Sequence, residues 1–260
     1  MLFGCCTTIG NYNNVYAAGY DTITLAAVDI AAMDTVSFNR VKDIVNAGAL
    51  RVLSLNRFSG PDVHLNGPDY SPEALKAYAS PLIERAGLLG VRYIGIGSPA
   101  SRNLVPGISA AAAMEQFENA IRLLCGLAAP YGIDILIEAV CDIECNFITV
   151  TNEALDVVTR LALKNLHLVY DIYHAHMMRE PLDNIDLAAK EIRVVHIAQD
   201  AACGQRHYLE MANIEEYRPY IDRLNAIGYV GEVSLEAFYG ELEHELPKSL
   251  AILKKLLGEA

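Results

Sequence analysis

Tryptophan is absent from this chain, and positive charge is scarce. The 260 residues contain 20 lysines and arginines against 32 aspartates and glutamates, which gives a formal net charge of −12 at pH 7. The 14 tyrosines form no pattern typical of a stacking platform for bases. Because nucleic acids and anionic membranes both favour a basic protein face, we expect neither as a partner. The composition favours a small polar substrate held by a cation.

Cysteine pairs at the spacing of zinc ribbons or thioredoxin-like redox sites are also missing. The six cysteines lie at positions 5, 6, 125, 141, 145 and 203, and none belongs to a Cys-x-x-Cys pair. Residues 1–6 lack the basic region of a signal peptide. The longest apolar tract, 107–130, is interrupted by three charged residues, so it does not predict a membrane span. We therefore expect a reduced, soluble, cytoplasmic protein.

Short apolar runs alternate with helix-like segments along the chain. Asp34 is placed to cap one helix and Ser71, followed by a proline, to cap the next. Strands are predicted at 2–6, 22–25, 50–55, 90–96, 132–138, 166–170, 192–197 and 232–235. Helices are predicted at 36–47, 71–86, 151–163, 182–189, 214–227 and 245–257, with a further long helix that ends near residue 129.

This alternation predicts an α/β fold with a parallel sheet, and eight strands are the number that closes a (β/α)₈ TIM barrel. The length fits a single barrel domain covering residues 1–260. A doubly wound open sheet is the rival fold. Its phosphate-binding motif is missing, because Gly95 and Gly97 lack the later glycine at the required spacing.

Four of the predicted strands end on side chains that bind metal ions. Glu138 follows the fifth strand and Asp171 the sixth, while His196 and Glu236 end the seventh and eighth runs. Each separation is roughly the length of one strand, loop and helix unit. The loops that follow barrel strands face the active site, so these four side chains are expected at the same rim.

A single acidic residue after a strand is more often a helix cap or a surface charge than a ligand. Four in consecutive units make coincidence the poorer explanation. Three carboxylates and one imidazole suit Mn²⁺, Mg²⁺ or Co²⁺, and Zn²⁺ stays open. Without a cation, clustered carboxylates would raise one another's pKa. We therefore expect one divalent ion, with Mn²⁺ favoured.

Four segments carry a more specific likeness. They are IEAVCDIECN at 137–146, YDIYH at 170–174, VHIA at 195–198 and SLEA at 234–237. Together with the loop at 97–107, they resemble the xylose isomerase-like superfamily of TIM barrels. The branch they resemble is that of the sugar (phosphate) isomerases and epimerases, which contains the D-tagatose and D-psicose 3-epimerases. The resemblance implies one metal ion on Glu138, Asp171, His196 and Glu236.

The resemblance also implies that Glu144 and His174 hydrogen-bond the hydroxyl groups of the substrate. Many members have an arginine six residues after the metal-binding histidine, where this chain has Ala202, and Arg206 is the nearest substitute for substrate binding. Thr24 stands where the second strand often ends on a glutamate, and residues 139–142 replace a Pro-Leu-Asn-Arg segment. These departures leave the identity of the substrate open.

Three further candidates have an ordinary structural explanation. Arg102 is as well suited to local pairing as to an anionic substrate. His176 is interpreted as a packing or loop residue, because no His-Glu-x-x-His spacing exists. Cys141 and Cys145 are interpreted as buried inert thiols, because no basic neighbour would stabilise a thiolate.

The resulting hypothesis is a metal-dependent sugar isomerase or epimerase, in which Glu138 and Glu236 move protons through an enediolate. A ketose 3-epimerase-like reaction is favoured. A dehydratase of a keto-inositol or keto-sugar acid and a hydroxypyruvate isomerase stay open. An apurinic-site endonuclease is the function that fits this sequence least well, because such an enzyme needs a basic face and more histidines than the seven of this chain. A non-catalytic barrel is disfavoured by the complete ligand set. A homodimer and a homotetramer both stay open.

Overall fold

Ten strands run through the residues that the computed structural model describes, which are 1–200 and 204–258. Eight of them are longer and two form a short hairpin. The strands are β1 Leu2–Cys6, β2 Thr22–Ala26, β3 Ser54–Asn56, β4 Tyr93–Ile96, β5 Asp134–Glu138, β6 Leu166–Asp171, β7 Ile192–Ile197, β8 Gln199–Asp200, β9 Arg206–His207 and β10 Glu232–Leu235.

Helices follow most of these strands. Three 3₁₀ turns at Ile9–Asn11, Ala129–Tyr131 and Ile214–Glu216 add to them. The α-helices in the described ranges are α1 Tyr12–Ala17, α2 Ala27–Ala32, α3 Thr35–Ala47, α4 Pro72–Leu88, α5 Pro99–Arg102, α6 Ala110–Ala128, α7 Thr151–Leu161, α8 Ile172–Met177, α9 Asp183–Ala188, α10 Arg218–Ala226 and α11 Leu242–Leu256. None of them combines the length and the hydrophobicity that crossing a bilayer requires.

The eight longer strands close into a barrel in the order β1, β10, β7, β6, β5, β4, β3, β2, and every neighbouring pair is parallel. The predicted TIM barrel is therefore confirmed. One large cluster of buried apolar side chains joins the strands to the surrounding helices. This packing fixes the carboxyl ends of the strands relative to one another, and it is at these ends that a barrel places its site.

Side-chain caps begin the helices where the sequence predicts them. The Asp34 carboxylate accepts the backbone N–H of Ser37 at 2.7 Å, and the Ser71 hydroxyl accepts that of Ala74 at 3.2 Å. Both bonds satisfy N–H groups that have no partner within the helix. The helix predicted at 214–227 is divided into a 3₁₀ turn and α10. Pro219 lies at its first turn and has no N–H to continue the hydrogen-bond ladder from the preceding turn.

The third strand is shifted from its predicted position. Strand β3 begins at Ser54, whereas the prediction starts at residue 50, and Arg51 forms only an isolated bridge with Thr22. The backbone of Leu50 is bonded to a side chain instead. The N–H of Leu50 donates to the Tyr12 hydroxyl at 2.8 Å, and the Tyr12 hydroxyl donates to the carbonyl of Leu50 at 3.0 Å. A tyrosine from α1 thus replaces the strand ladder at this point.

The antiparallel hairpin of β8 and β9 follows β7 and extends over the carboxyl end of the barrel. Gln199 pairs with His207 and Asp200 with Arg206. His207 also bridges to Tyr239, in the segment after β10, and their rings stack at 5.4 Å between centroids. The hairpin brings Arg206 to the strand ends, although it lies outside the barrel sheet.

Candidate metal centre

Four side chains selected from the sequence as metal ligands converge at the carboxyl end of the barrel. Glu138 and Asp171 are the last residues of β5 and β6. His196 is the last but one in β7, and Glu236 directly follows β10. All four are buried, with 2–6% of their surface exposed. Burial of carboxylates this close together is costly unless cations or hydrogen-bond donors balance them.

Strand register decides that these side chains face the same space. Asp171 lies directly opposite His196 in the pair of β6 and β7. On the other side of β7, Ser234 lies opposite His196. Glu236 is two residues beyond Ser234, so the alternation of a strand returns it to the same face. Adjacent strands therefore bring a carboxylate to either side of the imidazole.

His196 contacts both glutamates of the cluster. Its Nδ1 atom is 3.1 Å from Glu138 Oε1 and 3.4 Å from Glu236 Oε2. Its Nε2 atom lies 4.0 Å from the Sγ atom of Cys6 on β1. One ligand atom from each of Glu138, Asp171, His196 and Glu236 lies within 4.8 Å of the others.

Arg206 enters the same cluster from the hairpin. One guanidinium nitrogen donates to Asp171 Oδ2 at 2.9 Å and also contacts Glu236. The second nitrogen contacts His174, and the guanidinium lies 4.8 Å from the ring centre of Tyr173. Burial opposes the charge on Arg206, but the surrounding carboxylates raise its pKa well above its usual value. Arg206 is therefore a fixed cation against two of the four candidate ligands.

The two glutamates of the cluster differ in their affinity for a proton. Burial raises the pKa of Glu138, and His196 offsets this only in part. Burial acts in the same direction on Glu236, but Arg206 and His196 outweigh it and hold its pKa well below its usual value. Burial lowers the pKa of His196, yet Glu236 and the hydrogen bond to Glu138 raise it well above its usual value overall.

The two predicted substrate contacts lie beside the cluster. His174 stands on α8, which begins directly after β6 because the Asp171 carboxylate accepts the N–H of Tyr173 at 2.8 Å. Its Nδ1 atom accepts the backbone N–H of Cys141 at 3.2 Å, and burial lowers its pKa to about 4. Glu144 is more open, with 39% of its side chain exposed, and lies 3.9 Å from the Nε atom of Arg206.

Two further residues hold parts of the cluster in place by hydrogen bonds. Arg102 is fully buried and donates to the carbonyls of Gly97 at 2.6 Å and Glu138 at 2.8 Å, which fixes the end of β5. Of the two roles considered for Arg102, the structure therefore shows local pairing. Asn56, the last residue of β3, donates to Glu236 Oε1 at 2.5 Å. Sequence reasoning missed Asn56, although it directly follows a strand core, as the candidate ligands do.

Two cavities open at this end of the barrel. One of about 280 Å³ is lined by Glu138, Glu144, His174, Arg206 and Glu236. The other, of about 260 Å³, lies beside Cys6, Asn56 and Tyr208. A further cavity of about 620 Å³ lies at the opposite end, where the strands begin, and none of the four candidate ligands lines it. We assign the site to the 280 Å³ cavity, because barrel enzymes use the carboxyl ends of their strands.

The remaining candidates from the sequence lie away from the cluster or are occupied in packing. His176 packs on the ring of Tyr217 at 4.7 Å between centroids and pairs with Glu216 at 3.7 Å. Cys141 and Cys145 are buried, and burial raises the pKa of the Cys141 thiol to about 11, as expected for an inert thiol. Ala202 and Cys203 lie outside the described residues.

A divalent cation fits the donor set of this cluster. Carboxylate oxygens and one imidazole nitrogen are ligands that hard and borderline divalent ions accept. When His196 is neutral, as an imidazole that binds a metal must be, the three carboxylates opposed by the single guanidinium of Arg206 leave two negative charges in a buried space. A divalent ion would balance those two charges.

Comparison with known proteins agrees with the architecture. The family described as xylose isomerase-like TIM barrel matches residues 13–256. An inosose isomerase from Bacillus licheniformis is 27% identical over 169 residues, which cover 62% of this chain. The aligned part spans 59% of that relative's length.

Solved structures share the fold over the whole chain. D-psicose 3-epimerase from Clostridium cellulolyticum H10, determined with D-tagatose, superposes with a TM-score of 0.85 at 19% identity and 99% coverage of both chains. The IolI protein with a bound zinc atom superposes with a TM-score of 0.78 at 19% identity, over 100% of this chain and 99% of its own. At this level of identity the likeness concerns the fold alone.

Proposed function

Because this chain belongs to the xylose isomerase-like TIM barrel family, we propose that it is a divalent-metal-dependent isomerase or epimerase of a small sugar or a related hydroxy-carbonyl compound. The observation that carries the proposal is the buried cluster of three carboxylates and one imidazole within 4.8 Å at the carboxyl ends of four barrel strands. An epimerisation of the ketose 3-epimerase kind is the favoured reaction.

Glu138, Asp171, His196 and Glu236 would hold the ion, with Mn²⁺ favoured. A bound divalent ion supplies Lewis-acid polarisation of a carbonyl and its neighbouring hydroxyl, which makes the adjacent C–H bond more acidic. The proposal also includes a cytoplasmic location and assembly as a homodimer or a homotetramer.

Glu138 and Glu236 would carry the protons. Glu138 ends β5 and Glu236 directly follows β10, and these two strands are separated in the barrel by β6 and β7, so the two carboxylates would approach a central substrate from different sides. One carboxylate removes the proton beside the carbonyl and leaves an enediolate. The other returns a proton to the opposite face, which inverts that carbon. In an aldose–ketose isomerisation, one carboxylate would instead move the proton between neighbouring carbons.

Glu144, His174 and Arg206 would orient the substrate. The Nδ1 atom of His174 accepts a backbone N–H, and its Nε2 atom contacts the guanidinium of Arg206, so His174 and Arg206 would position each other beside the substrate. Glu144 and Arg206 line the same 280 Å³ cavity. A carboxylate and a guanidinium together accept from and donate to neighbouring hydroxyl groups.

A second candidate reaction is the isomerisation of an inosose, a carbocyclic keto-alcohol. The 27% identity to an inosose isomerase over 169 residues favours it. Such a ring presents the same hydroxy-carbonyl unit to the two glutamates, so the proton chemistry is unchanged. A panel of ketoses, inososes and hydroxypyruvate separates these substrates, and release of water would identify a dehydratase.

The test is solvent exchange in D₂O with the metal-loaded protein. Turnover should place deuterium on the carbon beside the carbonyl, and Glu236→Gln should reduce this exchange by roughly 10²–10⁴-fold, as removal of a general acid–base group does. Glu216→Gln, an exposed substitution, is the control. Metal content is measured first in each variant. Undiminished turnover by metal-loaded Glu236→Gln protein would remove the two-glutamate mechanism.

A further inference from the structure

Arg57 stands at the boundary between the two cavities of the candidate site. It directly follows Asn56, the residue that donates to Glu236. Arg57 lines both the 280 Å³ cavity and the 260 Å³ cavity, and Phe238 is the other residue that lines both. Both side chains are exposed, Phe238 by 54%. The two cavities therefore adjoin each other at Arg57 and Phe238.

The guanidinium of Arg57 has no hydrogen bond or ion pair within residues 1–200 and 204–258. Asp29 lines the 260 Å³ cavity as well, yet it forms no ion pair with Arg57 in these ranges. The other arginines of the site are occupied: Arg102 bonds two carbonyls, and Arg206 bonds Asp171. Among the described residues, Arg57 is thus the arginine of this site that is both unbonded and exposed, whereas the unbonded Nη1 atom of Arg102 is fully buried.

The backbone of Arg57 is held in an unfavourable conformation. Its φ angle is +47°, in the left-handed region that side chains with a Cβ atom rarely adopt. Its carbonyl accepts the N–H of Val28 at 3.2 Å, which ties this residue to α2. Strained residues of this kind cluster at ligand sites, because the surrounding structure must be built to hold them. This backbone conformation sets the direction in which the Arg57 side chain extends from the backbone, at the rim of the cavity.

The residues that line the two cavities carry charges of both signs. Arg57, Arg206, Glu138, Glu144 and Glu236 line the 280 Å³ cavity, whereas Asp29 and Arg57 are the charged residues that line the 260 Å³ cavity. The carboxylates of the 280 Å³ cavity surround Arg206, so Arg57 is the cation that the lining of the 260 Å³ cavity offers to a ligand.

We propose that the substrate carries an anionic group, which Arg57 binds in the 260 Å³ cavity while the hydroxy-carbonyl end occupies the 280 Å³ cavity. This inference rests on the proposed function and specifies its substrate class. The planar guanidinium fork matches a carboxylate or a phosphate with two parallel hydrogen bonds. Asp29 lines the same 260 Å³ cavity and repels a doubly charged phosphate monoester more strongly than a singly charged carboxylate, so the substrate class is a keto-sugar acid.

The kinetic test compares substrates that differ in one terminal group. D-Fructose, D-fructuronate and D-fructose 6-phosphate are assayed with the Mn²⁺-loaded protein. Arg57→Ala should lower kcat/KM for the keto acid by roughly 10–100-fold more than for D-fructose, because a hydrogen bond to a charged group is lost. The loss should fall mainly on KM, and Arg57→Lys should restore part of it. Arg218→Ala, which removes an exposed guanidinium paired with Glu215, is the control.

A binding test keeps the inference separate from the proposed reaction. D-Gluconate, D-glucitol and D-glucitol 6-phosphate cannot undergo proton transfer beside a carbonyl, and calorimetric titration measures their affinities. D-Gluconate should bind more tightly than D-glucitol to the wild-type protein and lose this advantage in Arg57→Ala.

Equal affinities, or an equal loss for all three ligands in Arg57→Ala, would overturn the role of Arg57. Tighter binding of the phosphate would transfer the assignment to sugar phosphates. Absence of solvent exchange with every ketose, together with preserved selectivity for D-gluconate, would instead overturn the proposed reaction and leave this inference standing.

Discussion

Arg206 donates a hydrogen bond of 2.9 Å to Asp171, and the same nitrogen also contacts Glu236. Arg206 comes from the hairpin outside the barrel, whereas Asp171 ends a barrel strand. The cation thus lies against oxygen atoms that a metal ion would use. It stabilises the buried carboxylates, and it also repels a second cation that approaches them. The two effects make opposite predictions for stability and for metal affinity.

Arg206→Gln should destabilise the metal-free protein and strengthen its binding of Mn²⁺. Loss of one partner of a buried ion pair costs about 3–5 kcal/mol, whereas removal of a positive charge a few ångströms from the ion should raise its affinity on the order of tenfold. Urea unfolding after chelation and calorimetric titration with Mn²⁺ measure the two quantities. Arg218→Gln is the matched control on the surface. Weaker Mn²⁺ binding by the variant would contradict the competition.

Asp171→Ala and His196→Ala should each lower the affinity for the divalent ion by more than the roughly 10–100-fold that loss of an outer partner costs. Each removes one of the four donors that lie within 4.8 Å of one another. Elemental analysis of the purified, folded variants measures the retained metal. Asp134→Asn is the control, because Asp134 begins β5, the strand that ends on Glu138. Full metal content in both alanine variants would refute the assignment.

Glu144→Gln and His174→Asn should keep the metal and lower kcat/KM. Glu144 and His174 are not among the four donors that lie within 4.8 Å of one another, and the Nδ1 atom of His174 is engaged by the backbone of Cys141. Both side chains line the 280 Å³ cavity, where loss of a hydrogen bond to substrate costs about 0.5–1.5 kcal/mol, or more where the contact is charged. Metal analysis and steady-state kinetics on the same preparations decide the question. If either folded variant lost the metal, its side chain would belong to the ligand set.

Ser109→Ala should lower the free energy of unfolding by about 1 kcal/mol without affecting metal binding. The Ser109 hydroxyl accepts the backbone N–H of Ala112 at 3.2 Å and caps α6. Ser80→Ala is the matched control, because Ser80 lies inside α4 and donates to the carbonyl of Lys76. Alanine is the better helix former there, so stability should hold or rise slightly. Urea denaturation of the three proteins gives the comparison, and equal destabilisation by both substitutions would argue against the cap.

The barrel and the positions of the candidate ligands could be predicted because both are properties of single segments. Apolar runs that end on Glu138, Asp171 and Glu236 are visible along the chain, and an eight-fold alternation leaves few other folds. The roles of these residues stay predictions. In the sequence, Arg206 is only the nearest substitute for the arginine that many family members have where this chain has Ala202. Its contact with Asp171 depends on a hairpin that two short strands form. Such short pairings leave no periodic pattern.

Asn56 and Arg57 could not be identified in the same way. The predicted third strand ends at residue 55, so both residues fall in the loop that is predicted to follow it. In the structure β3 includes Asn56, because Asn56 pairs with Ala26 at the end of β2. The neighbouring strand thus decides where β3 ends, and with it the position of the two residues at the rim of the cavity.

Strand register is a further property that no single segment reveals. The pairing of β6 with β7 shifts by one residue between Leu168 and Val169. Leu168 lies opposite Ile192, but Val169 lies opposite Val194, which leaves Arg193 as the extra residue on β7. An extra residue of this kind is a local irregularity of the ladder that bends the strand and re-aims the side chains beyond it.

The sequence by itself determined which residues can bind a metal and on which strands they lie. Only the tertiary structure decided that Asp171 stands opposite His196. Without the shift, Asp171 would lie opposite Val195, whose side chain points to the other face of the sheet. The physical reason is that the alternation of side chains belongs to one strand, whereas register belongs to the hydrogen bonds between two strands.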